Sequence, residues 1–123
     1  MSRETLRRNA WKWKCGLPED DPKPVKVDLD ELRRAQWCDE FDELRRNRMV
    51  LGTLRYGDYK APNAPKYDRV GSAIKRLQRY QETGNTEFLV DTANMCMIEF
   101  DRPHHPKAHF HAVDDGEHAE IIN

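Results

Sequence analysis

The sequence predicts an all-α protein: a small bundle of three main helices, with an extended N-terminal arm and a non-helical, histidine-rich C-terminal tail. Three observations carry that reading. Apolar residues recur at helical spacing in three stretches between positions 29 and 100. Proline falls in the segments outside those stretches. Gly84-Asn85-Thr86 is a tight connection of the kind that joins two antiparallel helices.

The arm covers residues 1–27. Pro18, Pro22 and Pro24 interrupt any long helix, and Gly16 precedes the acidic turn Glu19-Asp20-Asp21. Trp11 and Trp13 alternate with Lys12 and Lys14, an extended pattern that pins the arm to a core or to a second subunit. The run is too short to make nucleic acid an expected partner. The core domain covers 28–102. Its first helix is expected from Leu29 to Tyr56, capped by Asp28 or Asp30 and stopped by Gly57, with Leu32, Trp37, Phe41, Leu44, Leu51 and Leu54 apolar. Pro62 and Pro65 make 58–65 a loop. The second helix is expected over 67–83, where Val70, Ala73, Ile74, Leu77 and Tyr80 form a core-facing stripe. Thr86 is expected to cap the third, over 87–100, on whose apolar face Cys96 reads as a buried, inert thiol. Residues 103–123 form the tail, in which all five histidines lie and Asp114-Asp115-Gly116 reads as a turn.

Composition limits the classes of function. With 37% hydrophobic and 35% charged residues and a mean hydropathy of −0.98, the chain offers no apolar run able to span a bilayer and no signal-peptide-like segment. Cys15, Cys38 and Cys96 are odd in number and form no close pair, which argues for a reducing, cytoplasmic setting and against a zinc site. The net charge of −1 excludes a bulk polyanion binder. So small and charged a domain buries little surface, and a homo-oligomer, dimer or higher, is the expected remedy.

Polar residues on the helices carry the candidate chemistry. Glu40, Glu43 and Asn47 share one stripe of the first helix, and Glu87, Asp91 and Asn94 share one stripe of the third. Side by side, these helices would converge carboxylates suited to a hard cation such as Mg2+. Arg69, Arg76 and Arg79 on the second helix, with Lys75 beside them, could meet phosphates. The plainer alternative is that Glu40 is solvated, that Glu43 pairs with Arg46 at i+3, and that Asp91 pairs with an arginine of the second helix. His104, His105, His109 and His111 read first as surface or subunit contacts, then as nucleotide contacts or transition-metal ligands.

The stretch 54–100 reads Leu-Arg-Tyr-Gly, a loop, Ile-Lys-Arg-Leu-Gln-Arg-Tyr, Thr-Gly-Asn, then Leu-Val-Asp-Thr-Ala-Asn-Met-Cys-Met-Ile-Glu-Phe. It resembles small phage-encoded proteins of the all-α nucleoside triphosphate pyrophosphohydrolase group, including MazG-like and dATP/dGTP diphosphohydrolase-like members. The resemblance implies an oligomeric helical bundle in which an E-x-x-E and a later E-x-x-D hold Mg2+ and water releases pyrophosphate from a (d)NTP. Glu40 and Glu43 match the first pair. Glu87 and Asp91 stand four apart rather than three, so a degraded site that binds without cleaving stays open. On this reading Glu40, Glu43, Glu87 and Asp91 are metal ligands and catalytic residues, and Asn47, Tyr56, Lys75, Arg76, Arg79 and Asn94 contact the nucleotide. The second expectation is a non-catalytic phage protein that sequesters a nucleotide signal or occupies a host defence protein.

Overall fold

The computed structural model describes residues 27–113 and 119–122. Among these residues the chain is all-helical: α1 (Leu29–Ala35), α2 (Asp39–Tyr56), α3 (Arg69–Thr83) and α4 (Glu87–Asp101). No helix among them is long and apolar enough to cross a membrane. The chain divides into two compact units, Cys38–Ala108 and a second made of Met1–Trp37 with His109–Asn123. Residues 1–26 of the expected arm (1–27) and the expected turn at 114–116 lie outside the described residues.

The helix expected over 29–56 is two helices. Asp28 caps α1, accepting from the backbone N–H groups of Asp30 and Glu31 at 2.9 and 3.3 Å. Gln36 ends it with φ −89° and ψ 47°. Cys38, extended at φ −118° and ψ 103°, then starts α2, its Sγ accepting from the Phe41 N–H at 3.4 Å. Three carboxylates in the next turn, Asp39, Glu40 and Asp42, favour the dipole of a fresh N-terminus there. Apolar spacing runs straight through this junction, which is why periodicity alone joined the two pieces.

Within Cys38–Ala108, α4 packs against α3 along its length and against α2 on another side. Gly84, at φ 72°, takes the left-handed conformation that closes α3. The cap expected from Thr86 comes instead from Asn85, whose Oδ1 accepts from the Glu87 N–H at 3.1 Å, while Thr86 makes no side-chain cap bond. The buried residues are few: Ala73, Val90, Thr92 and Asn94 among those described. The stripe expected to fill the core is mostly outside it. Val70, Ile74 and Leu77 are exposed because α3 turns its Ala73 and Tyr80 side toward α4. Cys96, expected buried, is an exposed free thiol on the outer side of α4.

The start of α3 is set by one carboxylate. Asp68 accepts from the Gly71 N–H at 2.9 Å, and a Cβ at position 71 would collide with that same side chain. Gly71→Ala is therefore expected to lower the melting temperature in the native background. In an Asp68→Ala background it should be neutral or stabilising, since alanine gains about 1 kcal/mol over glycine inside a helix. Thermal unfolding of the four chains of this cycle measures the difference directly.

Candidate functional site

Two reciprocal contacts fix α2 against α4. Arg45 donates through Nε to Asn94 Oδ1 at 3.2 Å, and Asn94 Nδ2 donates back to the Arg45 carbonyl at 3.0 Å. One turn on, Arg48 grips both oxygens of Asp91, each at 3.1 Å, and reaches Glu87 Oε1 at 2.9 Å. From the other side, Arg76 of α3 brings its Nε within 4.0 Å of Asp91 Oδ2. Asn94 is 6% exposed, so its amide would be costly without these partners. The hydrogen bond that Arg48 donates to Asp91, aided by the charges of Asp91 and Glu87, raises the Arg48 pKa against the opposing effect of burial.

The expected carboxylate cluster divides at this seam. Glu87 and Asp91 come together, held by Arg48 rather than turned toward a shared cation. Arg45 opposite Asn94 and Arg48 opposite Asp91 make α2 and α4 antiparallel, which carries Glu40 about 12 Å along the axis from Arg48. Glu43 lies roughly 140–160° round α2 from both arginines, at 100° per residue. Both glutamates are exposed, as is Asn47 on the same face. Among the described residues no three His, Cys, Asp or Glu side chains form a group able to hold a metal ion. The four carboxylates therefore do not fit Mg2+ as placed. Of the histidines, His104 and His105 serve local turns: the His104 N–H donates to Glu99 Oε2 at 2.7 Å, and His105 Nδ1 accepts from the Lys107 N–H at 3.0 Å.

A different part of the unit forms a concave site. The loop 57–68 is a succession of tight turns, with Asp58 accepting from the N–H of Lys60 at 2.8 Å and Ala61 at 3.1 Å. It closes over the gap between the C-terminal half of α2, the start of α3 and the middle of α4. The pocket beneath has a volume of about 290 Å³. Tyr56, Tyr59 and Tyr67 give it aromatic walls, Met49, Met95 and Ile98 line it further, and Arg69, Ser72 and Arg76 bring polar groups from α3. Tyr56 and Tyr67 meet edge to face at 6.1 Å, and the Arg69 guanidinium lies 5.7 Å over the Tyr67 ring. Tyr59 donates to Asp101 Oδ2 at 3.0 Å, and burial, then this bond, raises its phenol above the ordinary value of 10.0.

Of the nucleotide contacts expected from sequence, Tyr56 and Arg76 line this pocket, whereas Asn47, Lys75, Arg79 and Asn94 do not. Arg69, expected with Arg76 and Arg79 to meet phosphates, lines it too; Tyr59, Tyr67 and Ser72 were not singled out, and the three tyrosines and the i, i+3, i+7 spacing of Arg69, Ser72 and Arg76 were the available signal. Arg45 and Arg48 were missed too, since nothing in their spacing sets them apart from the other charges of α2. No protein-family model, curated protein or solved structure matches this chain.

Replacing Arg48 by alanine should lower stability by about 1–3 kcal/mol, since it strips hydrogen bonds from two carboxylates. Arg46→Ala, at an exposed pair with Asp42, should change it by less than about 0.5 kcal/mol. Denaturant unfolding compares the two. At alkaline pH, absorbance should show a tyrosine ionising above the ordinary value of 10.0, and Tyr59→Phe should remove that step. Because the folded phenol has the higher pKa, the stability it contributes is complete below pH 10.0 and is lost as pH rises through the raised value.

Proposed function

We propose that the Cys38–Ala108 unit binds a nucleotide without cleaving it. The observation that carries this reading is the pocket of about 290 Å³ in which three tyrosines stand beside two arginines and a serine. Tyrosine faces accept a nucleobase by stacking, in the way single-stranded nucleic acid is held. Guanidinium groups match phosphate oxygens in charge and geometry. Arg76 gives Nη1 to the Ser72 carbonyl at 3.3 Å, and its Nε stays beyond hydrogen-bond distance of Asp91, so its other donors can meet an anion. The volume lies at the small end of ligand sites, which run from about 300 to 1,000 Å³, and suits a single nucleotide.

Binding alone is the better-supported form of the nucleotide reading. Mg2+-dependent pyrophosphohydrolysis needs Glu40, Glu43, Glu87 and Asp91 on one ion, and the antiparallel register of α2 and α4 argues against that assembly. Sequestration of a nucleotide signal needs only the pocket and its arginines.

A thermal-shift series with nucleotides and cyclic dinucleotides, with and without Mg2+, tests this proposal, because a ligand of the folded state raises the melting temperature by mass action. The expected result is a Mg2+-independent shift with the ligand recovered intact. Arg76→Gln should weaken binding about tenfold, equivalent to about 1.4 kcal/mol, while Arg79→Gln should leave it unchanged. Pyrophosphate among the products would establish hydrolysis instead. No shift with any nucleotide would overturn the reading and favour occupancy of a host defence protein.

A further inference from the structure

The tyrosine-lined pocket has two electrically opposite sides. Arg69 and Arg76, both half-buried, reach it from α3. Asp58, exposed just after the end of α2, is the acidic residue that lines it among the described residues. Its Oδ1 accepts from the Lys60 N–H at 2.8 Å, whereas its Oδ2 makes no hydrogen bond or ion pair within the described residues. Besides burial and Asp101, the Asp58 charge also raises the Tyr59 phenol, so this carboxylate lies within electrostatic reach of an aromatic wall. Two of the neutral hydroxyls nearby are already committed: Thr53 donates to the Met49 carbonyl and Tyr59 to Asp101, each at 3.0 Å.

Given the nucleotide reading of the pocket, on which this selectivity rests, the two sides favour one kind of nucleotide. Two guanidinium groups balance one phosphate monoester, which carries about −1.5 to −2 charge near neutral pH. A further phosphate would add negative charge with no cation of the pocket left to meet it, and toward Asp58 it would face a like charge. The volume of about 290 Å³ also leaves little room for a phosphate chain. An ionised carboxylate oxygen accepts and cannot donate. With the base against the tyrosines and the phosphate at α3, the sugar hydroxyls are the donors that remain for it. An acidic side chain takes a ribose hydroxyl in the same way in dinucleotide-binding folds.

We propose that Asp58 is a specificity-determining residue and that the pocket takes a ribonucleoside 5′-monophosphate, its phosphate on Arg69 and Arg76 and a ribose hydroxyl on Asp58 Oδ2. The same residues disfavour the triphosphate that the family resemblance implies. The part Asp58 plays in its own turn is separable from this one. Asparagine there still accepts from the Lys60 N–H, but it carries no charge and offers the sugar an amide donor in place of the carboxylate oxygen.

Isothermal titration calorimetry of the full chain tests the proposal with the common ribonucleoside 5′-monophosphates, their 2′-deoxy and 3′-deoxy forms and the matching triphosphates. A ribonucleoside monophosphate should bind about tenfold tighter than one of its deoxy forms, and about tenfold tighter than its triphosphate. That comparison is made in the native chain and needs no variant. Asp58→Asn should cut both preferences to less than about threefold, with the melting temperature of the free chain unchanged. Equal affinity for the ribose and both deoxy forms would overturn the proposal while the nucleotide reading stands. So would a triphosphate bound as tightly as the monophosphate, or preferences that survive Asp58→Asn. No binding by any of these nucleotides would overturn both.

Discussion

The pairing of Arg45 with Asn94 and of Arg48 with Asp91 is the constraint on which the arrangement of α2 depends. Apolar contacts alone would leave the register of α2 on α4 loosely set, because a helix with leucines on several sides can slide or turn at little cost. A buried asparagine amide and a carboxylate held by two guanidinium donors admit one register only, since a shift by a single turn would strand both. Arg76 brings the charge of the third helix within 4.0 Å of the same carboxylate without a hydrogen bond to it, in a unit whose buried apolar core is small among the described residues.

That pairing also explains why the charges of this chain divide into two kinds. Those along the α2–α4 seam are spent on one another, and their electrostatic field is largely closed. Those at the start of α3 face a cavity walled by tyrosines, where water is partly displaced and a positive charge acts over a longer reach. The loop 57–68 creates the difference. Its two prolines and its Asp58 turns hold Tyr59 and Tyr67 over the gap, and the bond from Tyr59 to Asp101 anchors the loop to the end of α4.

The sequence made the helical class, the loop, the α3–α4 hairpin and the importance of Asp91 and Asn94 legible. Asp91 and Asn94, within the mostly apolar Leu89–Ile98, signalled a need for partners, and the structure supplies them. Their partners were not legible, because Arg45 and Arg48 look like any solvated pair on a charged helix until the helices are docked. The break at 36–38 was hidden by apolar spacing that continues across it and by a cap that uses a thiol, a weak acceptor. The location of the core was misjudged for a related reason: periodicity reports that a helix has an apolar side, and says nothing of which neighbour covers it. On α3 most of that side is left outward, and Ala73, the smallest member of the stripe, is its buried one.

The capping carboxylate at the start of α3 has a consequence for how the sequence can vary. In its present rotamer the Asp68 carboxylate fills the volume that a side chain at position 71 would enter, so the two sites are coupled. While the carboxylate keeps this rotamer, glycine is favoured three residues later, at a place where helices otherwise disfavour it. A carboxylate that turns aside, or is lost, releases position 71 to take alanine or serine. The shape of the first turn beside the tyrosine-lined cavity is thus set by two positions together.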